Sequence, residues 1–262
     1  MGGSNSPVVE IRGLSKVYGI KTVLNNIDLD VYPGQIIGYI GPNGAGKTTT
    51  IKILVGIIEK FSGDVKILGE DIRSPHSQYK YRVGYVPESG AIYESLTAFE
   101  YLSFIGNLYG LSPQLVEDKI RTMMKLLSIE GAAHSRISSL SKGMKQKVLI
   151  IASLINNPDI MFFDEPLNGL DANSVMIFKE VMASLSTLGK TIFYSSHILD
   201  VVERISSRII LINKGEIVAA GTFQQLREKN NDSSLESIFN QLTDYDKHAQ
   251  IARQFVEAVQ VV

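Results

Sequence analysis

The stretch that most constrains what this chain can fold into is Gly41-Pro42-Asn43-Gly44-Ala45-Gly46-Lys47-Thr48-Thr49. It fits the phosphate-loop pattern G-x-x-x-x-G-K-[ST], with an apolar run at residues 36–40 before it and a helix-period run after it. Glycines at 41, 44 and 46 permit positive φ and leave room for backbone N–H groups to turn inward on phosphate oxygens. The loop opens a helix end-on, where unpaired N–H groups and the macrodipole already favour an anion. Lys47 supplies a point charge for the β- and γ-phosphates, and Thr48 a hydroxyl ligand for Mg²⁺. Nucleotide binding through residues 41–49 is the expectation.

The chain has 262 residues and no repeat at a solenoid period, which predicts one large domain or a domain with a subdomain. With 44% hydrophobic and 20% charged residues it is able to bury a real core. A net charge of −1 gives no global field toward nucleic acid or an acidic membrane, so no nucleic-acid partner is expected. The absence of cysteine rules out disulfides and thiolate metal sites. No stretch approaches the roughly 20 apolar residues that span a bilayer. Residues 1–6 fit the acylation pattern M-G-x-x-x-[ST], but residues 1–7 read as a flexible leader.

Alternation at residues 8–14 and at Ile27, Leu29 and Val31 predicts strands, and Pro33-Gly34 turns the chain into the strand that feeds the phosphate loop. Tyr18, just off a strand end, reads as core, as a hairpin tip or as an aromatic that stacks on a base. Ile51, Leu54, Val55 and Ile58 predict one helix face, with Ser62-Gly63 as its stop. Strands at residues 65–68 and 83–86 would close a β-rich first part. Residues 89–157 then read as helical: Thr97 to Glu100 is a capping box, Gly110 a stop, Ser112-Pro113 a start and Asn156-Asn157-Pro158 a break. Two apolar strands come next, residues 160–163 and 191–195, joined by a helix with Ile177, Val181, Leu185 and Leu188 on one side. Such alternation implies a parallel sheet covered on both faces, with ligands at the strands' carboxyl ends. Asp164, Glu165 and His197 lie there in sequence terms. Residues 209–212 and 217–220 read as a hairpin, and the chain from Thr222 as helical, either packed on its own domain or binding a partner.

Two acids after an apolar strand suit Mg²⁺-dependent phosphoryl chemistry: Asp164 for the metal, directly or through water, and Glu165 to polarise an attacking water. Together with the phosphate loop these residues resemble the nucleotide-binding subunit of an ABC transporter, from about residue 8 to residue 221. Leu140-Ser141-Lys142-Gly143-Met144 is similar to that family's signature Leu-Ser-Gly-Gly-Gln, with Gln146 after it, and Asn168-Gly169-Leu170-Asp171 to its D-loop. The resemblance implies a P-loop NTPase with a mixed or parallel core sheet, an N-terminal antiparallel β subdomain and an inserted helical subdomain at residues 89–157. A helical tail, residues 222–262, would come after the ATPase domain. The resemblance also implies that Tyr18 stacks on adenine, that Ser141 and Gly143 face the γ-phosphate held by a second ATP-binding subunit, and that His197 contacts the γ-phosphate. Glu88 stands where the family usually has a glutamine that touches Mg²⁺. Lys142, Met144 and Glu88 depart from the common motifs, and with Pro87 they resemble the branch associated with drug, sodium and antibiotic export. The family likeness implies an ATPase on the cytoplasmic face of a membrane, working through separate integral-membrane permease subunits. A non-transport switch ATPase acting on ribosomes or DNA is the rival reading; its usual marks, two such domains in one chain or a long coiled-coil insertion, are not in this sequence.

Overall fold

A computed structural model describes residues 6–88, 92–230, 232, 234–243 and 248–260. The leader through residue 5, with its acylation-like pattern, and the start of the expected helical insertion at residues 89–91 lie outside the described residues. In chain order, β1 (Val9–Tyr18) and β2 (Lys21–Val31) form an antiparallel hairpin, followed by β3 (Ile36–Ile40), α1 (Lys47–Leu54), β4 (Ser62–Ile67) and β5 (Glu70–Asp71). After β6 (Val83–Val86) come the helices α2 (Ala98–Leu108), α3 (Pro113–Leu126) and α4 (Lys142–Leu154). The chain continues through β7 (Ile160–Asp164), α5 (Ala172–Thr187), β8 (Thr191–Ser195), α6 (Leu199–Ile205) and the hairpin β9 (Arg208–Asn213) and β10 (Glu216–Gly221). Helices α7 (Phe223–Asn230), α8 (Leu235–Thr243) and α9 (His248–Gln260) complete it.

Among the described residues, four strands in the order β2-β1-β4-β5 make an antiparallel sheet, and six in the order β10-β9-β3-β8-β7-β6 make the second. In that second sheet β9, β3, β8, β7 and β6 run parallel, and β10 closes one edge antiparallel. Every residue of β3, β7 and β8 is buried, as parallel strands with both faces covered must be. The two faces use alternate side chains. Tyr39, Phe162 and Phe193 pack with α1 and the hairpin residues Leu14 and Leu24, while Phe163 and Tyr194 pack with Phe178 and Met182 of α5. Leu102, Val116, Ile120, Met124 and Ile151 fill a third core among α2, α3 and α4.

Several expected boundaries move. Helix α1 stops at Leu54, because Gly56 takes a left-handed φ of 73° and turns the chain, and Ser62-Gly63 begins β4 instead of ending a helix. Val55 and Ile58 still pack on the core, which is why they continue the helical period beyond the helix itself. On α5 the buried face is Ser174, Phe178 and Met182; Ile177 and Val181 are half-buried and Leu188 is exposed. Strand β6 joins the parallel sheet beside β7 and does not belong to the antiparallel one. The capping box at Thr97 is formed in both directions. In the tail, Leu235 and Ile238 of α8 are buried against the α5 side of the sheet, whereas Phe255, Val256 and Val259 of α9 are exposed.

Parallel registry is what assembles the site. Tyr39 and Asp164 both pair with Ser195, so the ends of β3, β7 and β8 and the segments leaving them lie on one edge of the sheet.

Candidate active site

The phosphate loop is held by close backbone approach. A Cβ on Gly41 would lie 2.2 Å from the Ile212 carbonyl oxygen, and one on Gly46 would lie 2.5 Å from Leu24 Cδ2. Gly46 also sits at φ 112° immediately before α1, a conformation that L side chains rarely adopt. From outside, the Gly215 N–H donates to the Ala45 carbonyl (3.1 Å), so the turn of the β9–β10 hairpin braces the loop. Inside it, Lys47 Nζ donates to the carbonyls of Gly41 (2.7 Å) and Pro42 (3.2 Å). Burial pulls the Lys47 ammonium below the ordinary lysine value, against the raising effect of Glu165, Asp164 and Glu88. Three carboxylates therefore keep one mostly buried cation company.

Facing the loop, Asp164 is 1% exposed and accepts a hydrogen bond from Ser195 Oγ at its Oδ1 (2.7 Å). The same Oγ accepts from the Glu165 backbone N–H (3.0 Å), so one hydroxyl sets both acids. Glu165 stands in the left-handed region at φ 52°, a conformation worth about 1–3 kcal/mol of strain that the surrounding bonds must hold. Its Oε2 meets His197 Nδ1 at 2.7 Å, although the histidine side chain is 61% exposed.

These groups surround a cavity of about 240 Å³ lined by Lys21, Val23, Asn43, Gly44, Gly46, Lys47, Thr48, Thr49, Glu88, Asp164 and Glu165. The structure thus brings together most of the expected residues. Gly41 and Ala45 are buried and shape the loop from beneath, and His197 reaches the cavity only through Glu165. Tyr18, Ser141 and Gly143 are not in its walls. Tyr18 ends β1 at the hairpin turn with 48% of its surface exposed, which removes the core alternative.

The fit of the site to a divalent cation rests on one atom: Asp164 Oδ2 is buried and has no hydrogen-bond partner. A buried carboxylate oxygen left unpaired is costly, and a hard cation or its water shell satisfies it. With the Thr48 hydroxyl and Glu88 on the same cavity wall, the donor set is all oxygen, as Mg²⁺ prefers. Among the described residues no three His, Cys, Asp or Glu side chains form a metal cluster, so phosphate oxygens and water would have to supply the remaining ligands.

The signature-like segment forms a second, separate feature. Ser141 caps α4 by accepting the Met144 N–H (3.2 Å). Gln146 Nε2 donates to the Pro166 carbonyl (2.9 Å), and a Cβ on Gly143 would come within 2.5 Å of the Gly169 carbonyl oxygen. Lys147 pairs with Asp171 at 3.3 Å. The start of α4 and residues 166–171, which leave the acid pair, are therefore one packed unit.

Sequence reasoning missed the site roles of Ser195, Gln146, Lys21 and Val23. The alternation of β2 was visible, but nothing local shows that its start lies beside the phosphate loop, and the partners of Ser195 and Gln146 are 31 and 20 residues away.

The chain is similar to known proteins over most of its length. A family model described as ABC transporter matches residues 24–168. An uncharacterised ABC transporter ATP-binding protein of Methanocaldococcus jannaschii is 37% identical over 223 residues, covering 85% of this chain and 80% of its own length. The Nod factor export ATP-binding protein I of Cupriavidus metallidurans is 34% identical over 219 residues, 84% of this chain and 72% of its own. A solved structure, that of an ATP binding subunit of an ABC transporter, aligns with a TM-score of 0.84 at 32% identity, covering 90% of this chain and 99% of the other.

Proposed function

This chain belongs to the ABC transporter family as an ATP-binding subunit that hydrolyses ATP, and from that premise we propose that it drives export through separate integral-membrane permease subunits, as one half of an ATP-closed dimer. Export is favoured by the similarity to the Nod factor export ATP-binding protein and by the Glu88, Lys142 and Met144 departures, which resemble the drug, sodium and antibiotic export branch. Residues 8–221 would be the ATPase domain, 89–157 its helical insertion and 222–262 an appended tail. Its place would be the cytoplasmic face of the membrane; among the described residues no helix is long and apolar enough to cross one.

The observation that carries the catalytic reading is the acid pair set by Ser195 on the same cavity as the phosphate loop. Lys47 and the loop N–H groups would bind the β- and γ-phosphates. Glu165 would accept the proton of the attacking water, an effect typically worth about 10²- to 10⁴-fold. His197, on Glu165 Oε2, would orient that carboxylate and contact the γ-phosphate. Mg²⁺, held by Thr48, Asp164 and Glu88, would neutralise charge on the phosphates. Ser141 and Gly143 lie outside their own chain's cavity, which fits a role toward ATP held by the second subunit.

For the permease, an apolar groove of about 650 Å³ opens between α1, β6 and the helical insertion, with Ile57, Tyr81, Tyr101, Ile105, Leu108 and Tyr109 in its walls. Tyr85 of β6 also lines it, and Glu88, three residues on, lines the ATP cavity. The two features share one strand end, so movement at the metal-side carboxylates has a short route to a docked partner.

Glu165→Gln tests the assignment. The variant should keep ATP affinity, lose at least about 100-fold in turnover and accumulate as a dimer with ATP in size-exclusion chromatography. Turnover at the wild-type rate refutes the role of Glu165.

A further inference from the structure

Lys16 is 9% exposed, unusual for a lysine, and no carboxylate pairs with it among the described residues. Two other groups hold its ammonium. Nζ donates to the Lys60 carbonyl at 2.5 Å and lies 4.5 Å from the centre of the Tyr18 ring. A cation over a tyrosine face is attracted by the ring quadrupole, most strongly where water is excluded. About half of Tyr18 remains exposed, so the contact with Lys16 leaves much of the side chain uncovered.

We propose that Lys16 is a positioning residue for nucleotide binding: its ammonium fixes the Tyr18 ring from behind, so that the opposite face presents a preset stacking platform for the purine. The proposal rests on the reading that Tyr18 stacks the base. The contacts have two consequences. The ring loses rotational freedom before ATP arrives, and its electron density is drawn toward the lysine, which improves its match to an electron-rich purine. Lys60 lies in the segment between α1 and β4, so the same ammonium ties the hairpin tip to the chain leaving the phosphate-loop helix. Base platform and phosphate cradle are thereby held at a set separation.

A double-mutant cycle read by calorimetry tests this, with Mg-ATP and inorganic tripolyphosphate as probes. Lys16→Met should weaken ATP binding by about three- to tenfold. Tripolyphosphate, which has no base, should bind unchanged, and Lys16→Arg should restore most of the ATP affinity. In a Tyr18→Ala background Lys16→Met should have no further effect. An equal loss for ATP and tripolyphosphate, or full additivity with Tyr18→Ala, overturns the proposal by showing a merely structural lysine. If Tyr18→Ala weakens ATP and Lys16→Met does not, only the role of Lys16 falls. If Tyr18→Ala leaves ATP affinity untouched, the stacking reading itself fails and the proposal goes with it.

Discussion

At the scale of single residues, the site turns on the Ser195 hydroxyl, which donates to Asp164 and accepts from the Glu165 N–H where water does not reach. Ser195→Ala leaves a buried N–H without its acceptor and an almost fully buried carboxylate with neither oxygen bonded, a cost of about 1–3 kcal/mol. Thermal unfolding without nucleotide should show the loss, and Mg²⁺ with ATP should narrow it, because a cation satisfies the orphaned oxygens. Turnover should fall further than ATP affinity, since Glu165 is the residue whose φ of 52° the bond helps to hold. Unchanged stability and turnover would mean that the acids are positioned by something else. The acids themselves were legible in the sequence only beside the phosphate loop, because a strand that ends in polar residues is by itself ordinary. The serine was not. It looks like an ordinary strand end until β7 and β8 are laid in register.

Among elements, the most readable were those whose signal is local. The phosphate loop, the capping box at Thr97, the Pro113 start and the β9–β10 hairpin all depend on residues a few positions apart, and all stand where the sequence puts them. The misread ones depend on distant packing. The apolar period past α1 continues through Val55 and Ile58 because both touch the core, but the backbone has already turned at Gly56. On α5, Phe178 and Met182 face the sheet in place of Ile177 and Val181, a choice made by the neighbour and not by the period. The coupling of α4 to the acid pair is of the same distant kind, and it can be tested at Gly143. Gly143→Ala drives a Cβ to 2.5 Å from the Gly169 carbonyl, where backbone must shift. Such overpacking costs about 1–3 kcal/mol. Because Gly143 is not in the wall of its own cavity, ATP affinity of the isolated subunit should stay near wild type while ATPase activity collapses. Calorimetry and steady-state turnover on the same preparation separate the two, and parallel losses in both would refute the idea that α4 serves the partner's nucleotide.

For the whole molecule, two surfaces stand apart from the phosphate-loop cavity: the start of α4 and the groove beside β6. The phosphate loop and the acids line one cavity, while Ser141 and Gly143 lie outside it. The groove beside β6 carries exposed Ile57, Tyr81 and Leu108 on its rim, so an apolar partner segment would cover side chains that now face water. Lys52 and Lys80 also line it, and none of its described lining residues is acidic, so an apolar segment carrying a carboxylate would match it in polarity and sign. A tagged chain should therefore recover a polytopic membrane protein in stoichiometric amount from detergent-solubilised, salt-washed membranes. Leu108→Asp, placed on the exposed rim, should abolish that recovery and leave ATP binding intact, because α2 contributes nothing to the ATP cavity. Recovery of the wild-type chain only in the soluble fraction, alone or with ribosomal proteins, would turn the reading toward a switch ATPase. If Leu108→Asp keeps the membrane partner, the partner is real but docks elsewhere, and Tyr85 loses its place on the route from the ATP cavity.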